Sequence, residues 1–398
     1  MTTESVEVGG VVNAEPSTTA ATTAVKETVV LHDGGDGAMG ERILDVRDFS
    51  VDYGWGENAV RAVDSVDLHL DRSKVLGIAG ESGSGKSTLV YGITRLLRAP
   101  GVITGGEARF NLGPNDDGRG ERVIDLVNAN ERELRAIRWS SISIVLQSAL
   151  SALNPVIRVG TQFEQVLKSH RKDMGKVERR ARATELLAMV GLSEDRLNRF
   201  PHELSGGQRQ RIMIALALAL DPQLVIMDEP TTALDVVTQR EIISELFELR
   251  KRFGFAMIFI THDLSLLVEL ADEIVVMYAG VLMERASALE LYEAPRHPYT
   301  LGLLNSFPPM HGERKVLSGI PGSPPDLKNL PGGCTFHPRC PYAMPRCSIE
   351  TPPLVDIGGT GRSVACWLQV NDPDVAVPVE LSRSYPRPVA TDVVEETS

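Results

Sequence analysis

Residues 77–89 read GIAGESGSGKSTL and contain the pattern G-x-x-x-x-G-K-S at positions 80–87. Glycines let a backbone wrap closely around phosphates, so that successive N–H groups and the positive end of the next helix face the anion. Lys86 is placed to reach β- and γ-phosphates, and the Ser87 hydroxyl to ligate Mg²⁺. An apolar run at 74–80 precedes the glycines and a helical pattern follows them, which is the context such a loop requires. The stretch therefore predicts a nucleotide-binding loop between a buried strand and a helix; a glycine-rich turn without function is the alternative.

A second apolar run, LVIMDEP at residues 224–230, ends in two carboxylates. Asp228 is placed to hold Mg²⁺ through a water, and Glu229 to orient and deprotonate an attacking water. Adjacent carboxylates repel each other, and a bound metal ion removes much of that cost. A solvated acidic turn is the other interpretation, but together with the loop at 80–87 the pair predicts an NTPase.

The apolar patterns around these motifs predict an α/β fold. Residues 43–53 and 62–70 alternate apolar and polar positions, as half-buried antiparallel strands do. Three further runs are apolar at almost every position, as strands buried on both faces are. These runs lie at residues 74–80, 224–230 and 256–263. Helical spacing at 236–253, between the last two runs, completes the βαβ signature of a parallel sheet.

Composition divides the rest of the chain. Residues 1–40 are rich in Thr, Ala, Gly and Val and contain no aromatic residue, so they are interpreted as a mostly disordered leader. A nucleotide-binding domain at 41–307 follows, with a helical subdomain at about 150–205. From about residue 308, prolines and glycines predict a linker into a small C-terminal module. Linker and module together cover residues 308–370. Residues 371–398 are expected to form a flexible tail.

Charge and apolar length restrict the function. A net charge of −12 is a poor match for nucleic-acid binding, which needs a basic face. The longest apolar run, residues 212–220, is far shorter than the roughly twenty residues that span a bilayer, so any membrane role requires a partner. The N-terminus has neither a basic region nor a continuous apolar region of a signal peptide. We therefore expect a cytosolic chain with reduced thiols, which argues against disulfides.

A second glycine-rich turn identifies the kind of NTPase. HELSGGQRQRIMIALALAL at 202–220 resembles the signature of ABC transporter ATPases. The turn itself consists of Ser205, Gly206, Gly207 and Gln208, and an Ala- and Leu-rich helix follows it. In the ABC family two ATPase domains meet head to tail, and each signature caps the γ-phosphate of the ATP that the other holds. The physical basis is that of any helix-end anion site.

The resemblance implies roles for further residues. Gln147 matches the Q-loop glutamine, which contacts Mg²⁺ and faces the membrane partner. Asp235 belongs to the D-loop, and His262 matches the switch histidine, which contacts the γ-phosphate. Tyr53 lies where the family places an aromatic under the adenine; Trp55 is a competitor, and an aromatic that simply belongs to the core is the other interpretation. The implied ATP-binding residues are Tyr53, Ser82, Gly83, Gly85, Lys86, Ser87 and Thr88; the implied catalytic residues are Glu229, His262 and Gln147; and the implied Mg²⁺ ligands are Ser87, Gln147 and Asp228.

The resemblance covers roughly residues 43–370 and is closest to the ATPase subunits of oligopeptide/dipeptide-type ABC importers. It implies a P-loop NTPase (RecA-like) parallel-sheet core with an antiparallel β-subdomain, a helical subdomain and a small Cys-rich C-terminal module. The tail order of that branch begins with PRHPYTLGLLNSFP at 295–308 and continues with GSPPDL and GCTFHPRCPYAMPRC. Leu146 replaces the usual Phe before the Q-loop glutamine, and Arg138-Trp139 replaces a frequent Arg-Gly. These departures concern partner contacts more than phosphate binding.

All four cysteines lie in the last 65 residues. They are Cys334, Cys340, Cys347 and Cys366, with spacings C-x5-C, C-x6-C and C-x18-C. Structural zinc usually uses at least one short C-x2–4-C knuckle. The longer loops suit the more widely spaced ligands of a [4Fe–4S] cluster, and the family resemblance points the same way. Zinc and unligated thiols remain open.

These observations together predict an ATPase that works at the cytoplasmic face of the cell membrane and powers an importer. Oligopeptides and dipeptides are the expected cargo; oligosaccharides, nickel and glutathione remain open. The expected partners are a second ABC ATPase, either a homologous chain or a second copy, two transmembrane permease subunits and, indirectly, an extracytoplasmic substrate-binding protein. A soluble ABC ATPase acting on ribosomes or DNA would use the same motifs, but usually with two ATPase domains, a long coiled coil or a basic surface. A non-enzymatic metal or cluster scaffold leaves residues 80–88 and 224–235 unexplained.

Overall fold

The computed structural model describes residues 39–114, 120–147, 152–231, 234–306, 319–358, 361–370 and 375–382. The expected leader therefore lies outside the described residues except for Met39 and Gly40, and so does most of the expected tail. The part of the tail that is described contains a helical turn at Val379–Ser382. Leu381 of this turn is fully buried, and its carbonyl oxygen accepts a hydrogen bond from Arg296 Nη1 at 2.9 Å.

The strands form two sheets, one of four strands and one of eight. In chain order they are β1 Arg42–Tyr53, β2 Val60–Asp71, β3 Val75–Ala79, β4 Gly101–Pro114, β5 Glu121–Asp125, β6 Ile142–Val145, β7 Leu224–Asp228, β8 Ala256–Ile260, β9 Glu273–Tyr278, β10 Val281–Ser287, β11 Val355–Asp356 and β12 Ser363–Val364. The four-stranded sheet has the order β2-β1-β4-β5 and is antiparallel. The eight-stranded sheet has the order β11-β12-β10-β9-β3-β8-β7-β6.

The larger sheet is parallel from β9 to β6 and antiparallel beyond β9. The three runs that the sequence marks as buried on both faces become β3, β7 and β8, and every residue of each strand is buried. The α/β class, with a parallel core and a separate antiparallel sheet, is therefore confirmed.

Helices connect and cover the strands. They are α1 Lys86–Ile93, α2 Glu131–Ile137, α3 Val159–His170, α4 Lys176–Met189, α5 Gly206–Ala217, α6 Val236–Phe253, α7 Leu264–Leu270, α8 Ala288–Glu293, α9 Pro298–Asn305 and α10 Val379–Ser382. Between residues 152 and 205 the structure contains α3, α4 and two short 3₁₀ turns, and no strand. This is the helical segment that the sequence predicts, and it leads into α5.

Strand β3 divides two hydrophobic cores because its side chains alternate between the faces of the sheet. Val75 and Ala79 belong to the core that includes the helical segment. Leu76 and Ile78 belong to the core beneath the antiparallel sheet. The loop that follows Ala79 therefore starts from a strand that is fixed on both sides.

The C-terminal segment packs onto the main structure. Strand β12 pairs with β10 of the eight-stranded sheet, so the segment extends that sheet. Phe336 is fully buried in the main core, where its ring contacts those of Tyr278 and Tyr299 at centroid distances of 5.3 and 5.2 Å. The first part of the expected linker, residues 308–318, lies outside the described residues, whereas its Pro- and Gly-rich remainder at 319–333 is described. The segment that contains Phe336 shares its core with the nucleotide-binding domain.

Candidate functional site: a phosphate-binding loop and its catalytic edge

The loop between β3 and α1 has a backbone that only glycine can adopt at two positions. Gly80 has φ +146°, and a Cβ there would lie 2.2 Å from the Met277 carbonyl oxygen. Gly85 has φ +99°, and a Cβ there would lie 2.5 Å from the Ala62 carbonyl oxygen. Both glycines are thus required because backbone carbonyl oxygens approach them closely. The loop leads directly into the first turn of α1, which begins at Lys86.

Lys86 is buried within this loop. Its Nζ donates to the carbonyl oxygens of Gly80 and Glu81, both at 2.8 Å, and lies 3.4 Å from Ser84 Oγ. Burial lowers the pKa of the ammonium group, against the opposing effect of the Glu229 and Asp228 charges. The positive charge is therefore located inside the loop, where it can bind phosphate oxygens.

Two hydroxyl groups of α1 hold the carboxylate at the end of β7. Ser87 Oγ donates to Asp228 Oδ1 at 2.9 Å, and Tyr91 OH donates to Asp228 Oδ2 at 2.5 Å. Asp228 is fully buried, and burial raises its pKa against the opposing hydrogen bonds from Tyr91 and Ser87. Ser87 and Asp228, both candidates for holding Mg²⁺, are in direct contact. Sequence analysis missed Tyr91, although its spacing of four from Ser87 places both on one helix face.

The three residues expected to be catalytic lie together at the ends of β6, β7 and β8. Gln147 Nε2 donates to Glu229 Oε2 at 2.8 Å, and His262 Nδ1 lies 3.7 Å from Glu229 Oε1. The His262 side chain is 62% exposed, whereas that of Glu229 is 15% exposed. The carboxyl ends of parallel strands meet at one edge of a sheet, which explains why residues from three strands converge there. We call this edge, with Gln147, Glu229 and His262, the catalytic edge.

Tyr53 lies beside the nucleotide loop, with its OH 3.5 Å from Thr88 Oγ1. Its competitor, Trp55, is 71% exposed. Trp55 is thus no core residue, and its exposed ring remains available for stacking. The contact with α1 favours Tyr53, and its stacking role stays a prediction.

The signature turn begins α5. Ser205 is its N-cap: Ser205 Oγ accepts the Gln208 N–H at 3.3 Å, and Gln208 Oε1 accepts the Ser205 N–H at 3.2 Å. Ser205 is exposed. The turn therefore presents the start of a twelve-residue helix at the surface, which is the arrangement of a helix-end anion site.

The signature turn packs against the D-loop region. A Cβ on Gly207 would lie 2.8 Å from Thr238 Cγ2, so a side chain at Gly207 would require Thr238 to shift. Asp235 caps α6, because its carboxylate accepts the Thr238 N–H at 3.0 Å and the Thr238 hydroxyl at 2.7 Å. Thr232 and Ala233 of the D-loop lie outside the described residues.

An apolar groove of about 390 Å³ lies between α2, β6 and the helical segment. Its lining includes Arg138, Trp139 and Leu146, the positions at which the sequence departs from the family pattern, and Leu153 and Val166 from the helical side. Leu146 of this lining directly precedes Gln147, whose side chain contacts Glu229. The groove therefore lies next to the catalytic edge.

The four cysteines line a single small cavity together with His297, Phe336 and Trp367. Burial raises the pKa of the Cys340 thiol to about 11 and that of the Cys366 thiol to about 12, and it also raises the pKa of Cys334. Among the residues that the structure describes, no group of three or more His, Cys, Asp or Glu side chains is arranged to hold a metal ion. The expectation of zinc or an iron–sulfur cluster therefore has no support from the ligand geometry.

Within the described ranges, no helix has the length and apolar character needed to cross a membrane.

Two family models match the chain. The model described as "ABC transporter" matches residues 63–232, and the model described as "Oligopeptide/dipeptide transporter, C-terminal region" matches residues 283–347. The first range contains the phosphate-binding loop, the signature turn and both carboxylates. The second contains the first three cysteines.

Relatives with transport ATP-binding names are similar over most of the chain. The oligopeptide transport ATP-binding protein OppD of Escherichia coli (strain K12) is 42% identical over 83% of this chain and 95% of that protein. OppD of Bacillus subtilis (strain 168) is 40% identical over 89% of this chain and 99% of that protein. The dipeptide transport ATP-binding protein DppD of Caldanaerobacter subterraneus subsp. tengcongensis is 41% identical over 82% of this chain and 97% of that protein.

Solved structures agree on the fold. The ATP-binding cassette MJ0796, in a dimeric post-hydrolysis state bound to ADP and Pi, is 30% identical with a TM-score of 0.52. The match covers 62% of this chain and 98% of the MJ0796 chain.

Proposed function

The chain belongs to the family of oligopeptide and dipeptide transport ATP-binding proteins, and from this premise we propose that it hydrolyses ATP to drive peptide import through a membrane complex. One observation carries the proposal: a complete set of ABC ATPase motifs is followed, in the same chain, by the C-terminal region of oligopeptide and dipeptide transporters. The ATPase part alone would suit many ABC proteins. The C-terminal region restricts the choice to this branch.

The nucleotide site is assigned to the loop and its neighbours. Lys86 and the loop amides, with Ser82, Gly83, Gly85 and Thr88, bind the phosphates, and Tyr53 stacks on the base. Ser87, Gln147 and Asp228 would hold Mg²⁺, which supplies positive charge to the β- and γ-phosphate oxygens. The contact between Ser87 Oγ and Asp228 Oδ1 supports this ligand set.

Hydrolysis is assigned to the catalytic edge. Glu229 orients the attacking water and accepts its proton, while Gln147 and His262 fix the carboxylate and the γ-phosphate. The 2.8 Å hydrogen bond from Gln147 to Glu229 supports this arrangement. Phosphoryl transfer needs little covalent chemistry from the protein, so these contacts act through positioning and electrostatics.

A second ATPase subunit completes the proposed ATP sites. Ser205, Gly206, Gly207 and Gln208 cap the ATP of that subunit, and Asp235 lies at the same junction. The exposure of Ser205 and the packing of the signature turn against α6 support this use. The second subunit is a homologous chain or another copy of this one.

The membrane subunits are assigned to the apolar groove beside Gln147. A short helix of a permease subunit would fill its apolar lining, so that permease movement alters the Gln147–Glu229 contact. Two permease subunits and an extracytoplasmic substrate-binding protein complete the proposed complex, with this chain at the cytoplasmic face. Cargo is bound by those other subunits; oligosaccharides, nickel and glutathione are the alternatives to peptides.

Uptake in a strain that lacks this gene tests the proposal. Labelled oligopeptides should enter only when wild-type protein is restored, and Glu229→Gln should fail to restore uptake although the complex assembles. Glu248→Gln, an exposed glutamate on α6 that is paired with Lys251, is the matched control and should restore uptake fully. Uptake of an oligosaccharide, nickel or glutathione instead of peptides would contradict the cargo. Co-purification with ribosomes and no permease would contradict the transport role.

For the cysteine cavity we propose a structural [4Fe–4S] cluster held by Cys334, Cys340, Cys347 and Cys366. The support is that all four cysteines of the chain line one cavity, although the described side chains are not arranged there as metal ligands. Such a cluster would tie together a Pro-rich segment that has little core of its own. The raised thiol pKa values mean that protons must leave when any metal binds, so loading would weaken as pH falls.

Metal analysis of anaerobically purified full-length protein tests this assignment. Iron and acid-labile sulfide in equal amounts, with a visible absorption that a reductant bleaches, are the expected result. Cys366→Ser should lower both contents. Stoichiometric zinc without iron would favour the zinc alternative, and the absence of both metals from protein with four titratable thiols would favour unligated cysteines.

A further inference from the structure

An ion pair connects the phosphate-binding loop to the C-terminal segment. Arg339 Nη1 donates to Glu81 Oε2 at 2.6 Å, and Arg339 Nη2 donates to Glu81 Oε1 at 3.1 Å. The Arg339 side chain is 6% exposed and that of Glu81 is 26% exposed. A two-pronged guanidinium–carboxylate contact fixes orientation as well as charge. The two residues are separated by 258 positions in the chain.

Glu81 is fixed through every polar group that it has. Its N–H lies 2.8 Å from Tyr299 OH, its carbonyl oxygen accepts Lys86 Nζ at 2.8 Å, and its carboxylate is held by Arg339. Glu81 therefore joins the C-terminal part of the molecule to the nucleotide loop.

Arg339 is equally well fixed on its own side. Its Nε donates to the Pro321 carbonyl oxygen at 2.8 Å, and its Nη1 lies 3.3 Å from Tyr278 OH. Arg339 stands in a 3₁₀ turn, His337–Arg339, between Cys334 and Cys340. The guanidinium group thus contacts Pro321 of the Pro-rich stretch, Tyr278 of the core and Glu81 of the loop.

The charge of Glu81 is out of place in an anion-binding loop. A carboxylate next to a triphosphate repels it, and a unit charge at about 10 Å in a partly buried site changes affinity by about tenfold. Arg339 cancels that charge. A lysine would supply the charge but not the two parallel hydrogen bonds.

We propose that Arg339 is a positioning residue of the ATP site: by neutralising and fixing the Glu81 carboxylate, the C-terminal segment makes the phosphate-binding loop competent for a triphosphate. The inference rests on the proposed function in one respect, namely that the loop binds ATP. It goes beyond that function by assigning part of the nucleotide site to a segment outside the ATPase domain.

A double-substitution cycle in the full-length chain tests the inference. Arg339→Met should weaken equilibrium binding of ATP, and raise the KM for ATP, by about tenfold, with kcat at saturating ATP changed less than about twofold. Glu81→Gln alone should bind ATP within about threefold of wild type, because it removes the charge that needs Arg339. The double variant Glu81→Gln/Arg339→Met should bind ATP as Glu81→Gln does. Arg339→Lys should fall between wild type and Arg339→Met.

The control is Arg346→Met, in the same segment, since Arg346 pairs with Glu350 and its guanidinium carbon lies 3.5 Å from the centroid of the Trp367 ring. It should leave the ATP affinity unchanged. If the double variant is as weak as Arg339→Met, Arg339 acts only through folding of its segment and the inference is overturned. Unchanged ATP affinity in a folded Arg339→Met or Arg339→Lys protein also overturns it. Wild-type protein that neither binds nor hydrolyses ATP would instead overturn the proposed function.

Discussion

Glu229 combines a carboxylate at the catalytic edge with a backbone that non-glycine residues rarely adopt. Its φ is +45°, and its N–H donates to the Ile260 carbonyl oxygen at 3.0 Å. Such strain persists only where the surrounding structure enforces it, and it is common at active sites. Here the neighbouring strand β8 fixes the turn, so the side chain leaves β7 in a direction that reaches both Gln147 and His262.

Glu229→Gln removes the carboxylate that can act as a base but keeps a side chain of nearly the same shape. The substituted amide oxygen can still accept the hydrogen bond from Gln147 Nε2, but an amide cannot take a proton from water. We expect kcat for ATP hydrolysis to fall by about 10²- to 10⁴-fold, with ATP affinity within about threefold of wild type. Single-turnover hydrolysis and equilibrium binding measure the two quantities. Hydrolysis by the variant at a wild-type rate would refute Glu229 as the base, and Glu248→Gln controls for the lost charge.

Among single residues, the sequence predicts those that belong to a local motif. A loop that wraps phosphates needs Gly80 and Gly85, and the close contacts of both with backbone oxygens show why. Tyr91 and Arg339 could not be found in the same way. Tyr91 acts through a contact with another strand, and the contact of Arg339 crosses 258 positions, so neither belongs to a local pattern.

At the level of elements, helix α6 shows how far local signals reach. The sequence predicts a helix at 236–253, and the structure has the same limits. Asp235 caps its start, and Gly254, at φ +69°, ends it. Both signals are contained in the chain itself, so a local pattern suffices.

Strands that depend on partners are less visible in the sequence. Strand β6 has four residues with Ser143 among them, and β11 and β12 have two residues each. Such short segments carry no clear alternation, and they become strands only because β7 and β10 offer free edges. For the same reason the sequence predicts a small C-terminal module but not its contacts: the structure adds β12 to the main sheet and buries Phe336 in the main core.

For the whole molecule, the groups assigned to ATP are only partly enclosed by this chain. Ser82, Gly83 and Ser205 are exposed, and His262 is 62% exposed. Water competes with hydrogen bonds and charge contacts at an open site, so electrostatic catalysis requires that something exclude it. A second ATPase subunit that places its signature turn over the nucleotide would do so, and it would explain why one chain has two phosphate-binding turns.

This arrangement predicts labelling between subunits. A tagged chain carrying Lys86→Ala loses the loop ammonium and cannot hold its own nucleotide, but its signature turn is intact. Mixed with an untagged Glu229→Gln chain, or with the homologous ATPase chain if that is the natural partner, it should be labelled at residues 205–208 by ATP with a photoreactive γ-phosphate. The tagged chain alone should remain unlabelled, which is the control. Labelling confined to the loop of the untagged chain would mean that the signature turn never meets a neighbour's triphosphate, and the two-subunit mechanism would be wrong.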